Sequence, residues 1–299
     1  MKKTIILAFA ALALFTTSCD RLTQGVVRDI DMPPHTPRLV ASLFADSRDS
    51  TIRATVGKSQ GLYEPGEPKS LSGANIRLMQ DGQLLHAWNT TNPIDSAYEL
   101  HLGDRLGTHT GSIMLVVEHP DFDSAYSVQR FPSAPVVKNI QIDYDAVENW
   151  GFTQDRMTLT LEDLPGENQH YVITADVHST DLAQDTSIYT ECFLVSSAPG
   201  VTRAGEALIA SEAGIDQDLT FSFTTGVGDS SYFIGGQYLE REYRVRVRAV
   251  SDDYYYFMVS YNAYEAARAN PFAEPAIIHD NLENGIGCFG LSTSTIARK

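Results

Sequence analysis

The chain has 299 residues, of which 43% are hydrophobic, so it is long enough to bury the core of one or two domains. Its 38 acidic residues outnumber its 22 basic residues, which gives a formal net charge of -16. A chain this acidic repels nucleic acid and anionic lipid headgroups, and this argues against a nucleic-acid-binding protein.

The first residues are typical of a bacterial export signal. Two lysines precede an apolar run, residues 4–15, that is shorter than the roughly 20 residues of a membrane-spanning helix. The stretch LFTTSCD then places Cys19 after small residues, as in a lipobox, although Thr16 stands where that pattern has leucine. We predict a signal peptide over residues 1–18 and a lipid anchor on Cys19. An ordinary cleaved signal with an incidental cysteine is the alternative.

A polar segment that contains three prolines follows Cys19 and predicts a flexible tether over residues 19–38. Proline fixes φ and favours extended chain, so this segment is a spacer rather than a domain. We expect the ordered body to begin near Leu39, held at a membrane by the acyl chains on Cys19.

Two other cysteines, Cys192 and Cys288, remain if Cys19 is acylated. Outside the cytoplasm they are permitted to form a disulfide, which would close a long loop. The alternative is two buried thiols, because cysteine is often simply a small core residue. The sequence leaves both interpretations open.

From Leu39 onward, short runs with a period of two predict β-strands separated by turn residues such as Asp81-Gly82. The predicted runs are 39–46, 50–57, 74–82, 83–89, 96–102, 111–119, 125–131, 137–145, 155–164, 170–179, 187–197, 218–226 and 242–250. A break rich in proline, residues 132–135, suggests a boundary. We therefore predict a mainly β chain with two immunoglobulin-like β-sandwich domains, 39–134 and 135–299.

The second domain also contains a predicted amphipathic helix, residues 251–268, with Ser251 as its N-cap. Its apolar stripe is expected to pack on the sheet, and consists of Tyr254, Phe257, Met258 and Tyr261.

Two groups of side chains in this region are candidates for a ligand or partner surface. The run 242–250 alternates so that Arg244, Arg246 and Arg248 share one face, which would suit an anionic ligand. A solvated face paired with acids on neighbouring strands is the alternative. The helix adds a tyrosine run, Tyr254, Tyr255 and Tyr256, for which helix packing is the alternative role.

The C-terminal stretch NPFAEPAIIHDNLENGIGCFG, residues 270–290, resembles the closing signature of a family of lipoproteins from Bacteroidota, the domain of unknown function numbered 4249. The segments PRLVASLFAD, LSGANIRLMQDG and SDDYYYF resemble the same family, so the resemblance spans nearly the whole chain. It implies a cell-envelope protein, often encoded near TonB-dependent receptors of the outer membrane. It implies no established activity and no catalytic residues. Cys288 departs from the aliphatic residue that is more usual at its position.

The same stretch predicts a turn at Asn284-Gly285 and a closing strand, residues 286–292, in the second sheet. Gly285, Gly287 and Gly290 allow unusual backbone angles or close backbone approach. Their spacing also fits a dinucleotide-binding fingerprint, but the required strand-turn-helix context is missing.

No other motif for chemistry passes its context test. The sequence contains no His-Glu-x-x-His and no Cys-x-x-Cys. The pairs Asp121/Asp123 and Asp143/Asp145 lack the full spacing of a calcium loop, so we interpret them as solvated turns. We predict no metal site, no cofactor and no catalytic residue.

These observations favour a non-catalytic binding or accessory module of the cell envelope, anchored to the outer membrane on its periplasmic or surface side. A TonB-dependent transporter would be its partner. A surface adhesin or structural lipoprotein is one alternative. A hydrolase whose carboxylates come from distant positions is the other.

Overall fold

A computed structural model of the chain is built mainly from β-strands, as the period of two predicts. The structure describes residues 35–299, except residues 62–63, 65–69, 90–96, 104, 109–110, 150–151, 163–168, 182–185, 193, 197–200, 204–205, 212–217, 229–232, 235–236, 239, 269–273 and 275. The signal segment, Cys19 and most of the tether lie outside the described residues, so those predictions stay predictions.

The first half of the described chain contains strands and one short 3-10 helix, Leu106–Thr108. Its strands are β1 (Leu39–Asp46), β2 (Thr51–Lys58), β3 (Asn75–Gln80), β4 (Gln83–Asn89), β5 (Tyr98–His101), β6 (Ser112–His119) and β7 (Phe122–Arg130). Asp81 and Gly82 have φ values of 50° and 79°, so they form the predicted tight turn between β3 and β4.

The second half contains twelve further strands and the helix α1 (Asp252–Arg268). The strands are β8 (Val137–Asn149), β9 (Phe152–Leu161), β10 (Gln169–Asp181), β11 (Thr186–Cys192), β12 (Leu194–Ser196), β13 (Val201–Arg203), β14 (Glu206–Ser211), β15 (Leu219–Gly228), β16 (Phe233–Ile234), β17 (Gln237–Tyr238), β18 (Glu240–Val250) and β19 (Ile286–Arg298). Every predicted run contains a strand. Strands β13, β14, β16 and β17 were not predicted.

The strands form one long sheet and two four-stranded sheets, with β16 and β17 as a separate pair. The long sheet has nine strands in the order β13-β14-β10-β18-β19-β1-β2-β5, and β11 also pairs with β10. The four-stranded sheets have the orders β4-β3-β6-β7 and β12-β15-β9-β8.

Both four-stranded sheets cover the same face of the long sheet, and each encloses its own hydrophobic core. The first core joins strands β1, β2, β5 and β19 to β3, β6 and β7; Leu43, Ile76 and Phe289 are among its buried side chains. The second core joins β10 and β18 to β9, β12 and β15; Val247 and Phe223 are among its members. We call this side of the long sheet the core face.

The predicted domain boundary after Ala134 falls between these two cores, but the long sheet continues across it. Strands β1 and β2 belong to the same sheet as β10 and β18, and Pro37–Lys299 forms one compact unit. Thr293 and Thr295 of β19 donate hydrogen bonds to the carbonyls of Pro132 and Pro135, both at 2.7 Å. The connecting segment is therefore attached to the shared sheet.

The last strand is longer than predicted and occupies a different place. It extends to Arg298 rather than ending at residue 292, and it lies in the middle of the long sheet. It pairs in parallel with β1, where Leu43 lies beside Phe289, and antiparallel with β18, where Val247 lies beside Thr295. It therefore joins the two halves, whereas the sequence suggested that it closes the second sheet alone.

Helix α1 packs on the other side of the long sheet, which we call the helix face. Tyr254 and Met258 are buried against Val172, Leu208 and Val250, as the apolar stripe predicted. The carbonyl of Ser251 accepts the N–H of Tyr255 at 3.0 Å, which makes Ser251 the N-cap. Its hydroxyl accepts the N–H of Leu291 at 3.3 Å, so the side chain attaches the start of the helix to β19.

Two glycines of β19 permit its close contacts, one with helix α1 and one with strand β1. A Cβ on Gly290 would lie 2.8 Å from side-chain atoms of Phe44 and Tyr254, so a larger residue would push the helix off the sheet. Gly287 has a φ of 130°, and a Cβ there would overlap the carbonyl oxygen of Ala41 on β1. The predicted close approach at these positions is confirmed.

A buried ion pair ties the long sheet to its second covering sheet. The Nη1 of Arg241 on β18 donates to both carboxylate oxygens of Asp155 on β9, at 3.0 and 2.9 Å. The Tyr243 hydroxyl also donates to Asp155. Asp155 is fully buried, and removal of one partner of such a pair leaves an uncompensated charge.

Within the described residues, no helix is both long and apolar enough to span a membrane.

We expect Gly287→Ala to lower the free energy of unfolding by roughly 2–4 kcal/mol, because the methyl group overlaps the backbone of β1 and the φ is unfavourable for alanine. Urea denaturation followed by circular dichroism measures the change. Gly103→Ala is the control, because a Cβ at Gly103 meets nothing within 4 Å. Equal stability of the two variants would contradict the close pairing of β19 with β1.

Candidate functional site

The predicted arginine row lies on the helix face of the long sheet. Every second side chain of β18 is buried in the core, namely Tyr243, Val245 and Val247. Arg244 and Arg246 therefore point to the opposite side of the sheet and are exposed. Arg248 continues the row and is partly buried, because α1 packs beside it. The three guanidinium groups and the first residues of α1 therefore share one surface.

The two outer arginines have acidic partners on neighbouring strands. The Nε of Arg244 lies 3.1 Å from both carboxylate oxygens of Asp176 on β10. The Nη2 of Arg248 donates to Glu206 on β14 at 2.6 Å, and its Nη1 lies 3.5 Å from the Tyr254 hydroxyl. Arg244 and Arg248 are therefore paired with acids on neighbouring strands, which is the alternative to a ligand-binding row.

Arg246 differs from its neighbours. Its cross-strand partners are Thr174 on β10 and Ile296 on β19, and neither carries a charge. Its side chain forms no hydrogen bond and no ion pair with any described residue. Burial raises the pKa of Asp49, and the positive charge of Arg246 lowers that pKa less strongly. The Asp49 carboxylate accepts a hydrogen bond from the N–H of Asp46 at 2.9 Å.

The arginine row borders an open groove of about 510 Å³. Its lining residues are Thr174, Ala175, Asp176, Glu191, Arg244, Arg246 and Arg248. A groove of this size falls in the range of small-ligand sites, which is about 300–1,000 Å³. The mixture of a hydroxyl, two carboxylates and three guanidinium groups suits a polar ligand.

The tyrosine run is divided among three environments. Tyr254 is buried, with its ring centroid 4.6 Å from that of Phe44, and burial raises its pKa. Tyr255 stacks on His170 with 4.1 Å between ring centroids. Tyr256 remains 50% exposed and meets Tyr255 edge to face. Packing therefore accounts for Tyr254 and Tyr255, whereas Tyr256 also meets the rings of His170 and His279 but keeps half of its surface exposed.

Two histidine–aspartate pairs hold the start of α1, and the sequence analysis missed both. The Nδ1 of His170 lies 2.9 Å from Asp252, and the Nε2 of His279 lies 2.7 Å from Asp253. Each pair joins residues that are far apart in the chain, so no local motif marks them. Within the described residues, neither imidazole ring hydrogen-bonds a serine, threonine or cysteine side chain, so both pairs act as anchors of the helix.

Asp253 is the better satisfied of the two acids. Burial alone would raise its pKa, but hydrogen bonds from His279, Asn281 and Gln129 outweigh burial and hold the pKa below the ordinary 3.8. The Gln129 bond measures 2.6 Å and links β7 of the first core to the helix. The carboxylate thus connects the helix to both halves of the protein.

We predicted no Gly-x-Ser-x-Gly nucleophile elbow, although the stretch Gly57–Gly61 does have that spacing. A nucleophile elbow requires a strand that turns sharply into a helix. Here Ser59 follows the antiparallel strand β2; its N–H donates to the carbonyl of Arg38, and its hydroxyl accepts the N–H of Arg38, both at 2.9 Å. The local backbone is an antiparallel pairing rather than an elbow.

The two aspartate pairs that we interpreted as solvated turns include residues that contact protein groups. Asp145 lies 3.6 Å from Arg241, and its carboxylate accepts a hydrogen bond from Thr153. Asp121 lies 3.8 Å from His119. Among the residues that the structure describes, no three metal-binding side chains come together.

In the structure, Cys192 and Cys288 are two buried thiols that no disulfide joins, which is the second of the two alternatives that the sequence leaves open. Cys192 pairs in register with Ala175, a core residue of the long sheet. Cys288 pairs with Ser42 and directs its sulfur at the carbonyl of Asp253, under the helix. The two thiols therefore lie on opposite faces of one sheet, beyond the reach of a disulfide.

A family comparison agrees with this picture of the chain. The family described as domain of unknown function DUF4249 matches residues 27–298. The chain belongs to this family, as the resemblance of its C-terminal stretch predicted. No curated protein matches the sequence.

We expect both body cysteines to resist alkylation in the native protein and to react fully after unfolding without a reductant. Burial raises the pKa of Cys192 to about 12 and also raises that of Cys288, so neither forms the reactive thiolate near neutral pH. Mass spectrometry after iodoacetamide treatment measures the modification. A requirement for a reductant after unfolding would show that a disulfide exists.

We expect Asp253→Asn to destabilise the protein by about 1–2 kcal/mol at neutral pH, because the bonds to His279 and Gln129 lose their charged acceptor. The folded-state pKa is depressed, so the stabilisation is complete above the unfolded value and disappears as the pH falls through the folded value. Urea denaturation from pH 7 to pH 3 measures the difference between variant and wild type. It should shrink in acid, whereas the exposed control Asp123→Asn should show no loss at any pH.

Proposed function

We propose that the chain is a non-catalytic binding or accessory module of the bacterial cell envelope. In this proposal, acyl chains on Cys19 hold it at the outer membrane, on the periplasmic or the surface side. The sequence LFTTSCD and the proline-containing tether support the anchor. A chain with several acyl groups stays at a membrane, and the tether would let the folded body move above it.

The observation that carries the binding role is the organisation of the helix face. Arg244 and Arg248 are held by carboxylates on neighbouring strands, and the groove between them stays open. A polar groove on a rigid sheet is suited to binding without chemistry, because its groups are oriented before a ligand arrives. The histidines near this face are engaged in anchoring α1, which favours binding over hydrolysis.

The proposed partner is a TonB-dependent transporter of the outer membrane. This part of the proposal rests on the family resemblance and on the anchor, which would place both proteins in the same membrane. We further propose that each core, with its share of the long sheet, is a sandwich of immunoglobulin-like type. The two pairs of packed sheet layers support this reading.

Copurification from the native envelope tests the accessory role. We expect the tagged wild-type protein, extracted in mild detergent, to retain a TonB-dependent receptor in stoichiometric amount. Cys19→Ala should lose the receptor, because the unanchored body is no longer concentrated at the membrane. Thr17→Ala is the matched control, since it changes a neighbouring small residue and keeps the cysteine.

Three outcomes decide the proposal. Loss of the receptor in Cys19→Ala but not in Thr17→Ala supports an anchored accessory protein. Absence of any receptor, under conditions that preserve other envelope complexes, contradicts it and favours a solitary binder or an adhesin. Hydrolysis of an envelope polymer by the purified wild-type chain would contradict the non-catalytic part.

A further inference from the structure

We propose that the groove on the helix face binds a ligand through a single oxyanion group, a carboxylate, sulfate or phosphate, held by Arg246. This inference deepens the binding role proposed above and rests on it. It names the chemical class that the site recognises and the residue that recognises it.

The strand register is the first argument. Along β18, the cross-strand neighbours on β10 are Asp176 for Arg244 and Thr174 for Arg246. Arg248 lies opposite the uncharged Val172 and Ser294, yet it reaches Glu206 on β14. The side chain of Arg246, by contrast, forms no ion pair with any residue that the structure describes. Within the described part of the row, the charge in its middle is therefore left for solvent or for a ligand.

The chemistry of the guanidinium group is the second argument. Its planar fork donates two parallel hydrogen bonds to a carboxylate, sulfate or phosphate. The side chain of Arg246 is exposed, so the fork is accessible from solvent. Thr174 lies beside Arg246 on the neighbouring strand β10 and offers a hydroxyl to the same oxyanion group.

The flanking ion pairs supply rigidity. Arg244 forks onto Asp176, and Arg248 is fixed between Glu206 and the Tyr254 hydroxyl of the helix. Ordered neighbours lower the entropy cost of binding, because fewer side chains are immobilised when the ligand arrives. Arg246 thus lies between two arginine side chains that ion pairs already hold in place.

The acids of the groove limit the charge of the ligand. Glu191 lines the groove and lies beside Asp176, two strands from Arg244. Glu206 lies beside Thr174, two strands from Arg246. Two strand spacings are about 10 Å, a distance at which exposed charges still repel measurably. A polyanion would meet these carboxylates, whereas a ligand with one oxyanion group and an otherwise neutral or zwitterionic body would not. The site is therefore selective for one anionic group.

Titration of the full chain in non-ionic detergent tests the inference. The probes are sodium glucuronate, sodium sulfate and sodium phosphate, which separate a sugar or peptide carboxylate from the two inorganic oxyanions. The readout is the Nε–Hε signal of Arg246 in a nitrogen–proton correlation spectrum. At constant ionic strength, we expect a saturable shift with at least one probe, while the Nε–Hε signal of Arg268 stays in place.

Substitutions make the test specific. Arg246→Gln should weaken binding of the effective probe at least about tenfold, because it removes a charge-assisted pair of hydrogen bonds. Arg268→Gln removes the same charge from an exposed arginine at the end of α1 and should leave the affinity unchanged. Glu191→Gln should tighten binding roughly twofold by removing a repulsive charge. The side chain of Arg246 makes no hydrogen bond with any described residue, so its replacement should not unfold the protein.

Equal affinity of Arg246→Gln and Arg268→Gln would overturn the inference, and so would the lack of a saturable shift with all three probes. Stronger binding of a polyanion, such as polyglutamate, than of the single-group probes would overturn the selectivity. Receptor copurification without oxyanion binding would remove this inference and leave the accessory role intact. Oxyanion binding without receptor copurification would remove the accessory role and leave this inference intact.

Discussion

The structure depends on the placement of its last strand. Strand β19 lies between β1 and β18, so the end of the chain joins its beginning to its second half in one sheet. This position requires glycine at two points, because a side chain at Gly287 would overlap β1 and one at Gly290 would displace the helix. The two hydrophobic cores then form on the same face of one continuous sheet.

The division of the long sheet into two faces explains the location of the candidate site. Covering sheets bury the core face, so polar side chains gather on the helix face, where α1 covers only part of the surface. Asp253 connects the start of the helix to β7 and to His279. The groove therefore borders an element that is anchored to both halves, which gives a fixed geometry to the arginine row.

The sequence predicted most strands because one face of each strand is buried and the other is polar. It missed β14, whose residues Ala207, Leu208 and Ile209 are all buried, because the core covers one face of this strand and the helix covers the other. The length of β19 was missed for another reason: residues 292–295 are all serine or threonine, so they show no alternation of apolar and polar side chains. The parallel pairing of β1 with β19 and the bond from His170 to Asp252 join distant residues, and local patterns carry no information about them. The arginine row was visible as alternation, but the special position of Arg246 depends on the register with β10.

Native-state hydrogen exchange in increasing denaturant tests most directly whether β19 makes one folding unit of the two halves. Amides of β6 report on the first core, and amides of β10 report on the second. If the account is right, both sets exchange through the same global opening, with equal free energies and equal dependence on denaturant. If β6 opens in a separate step while β10 stays protected, or the reverse, the halves are independent domains and the account is contradicted.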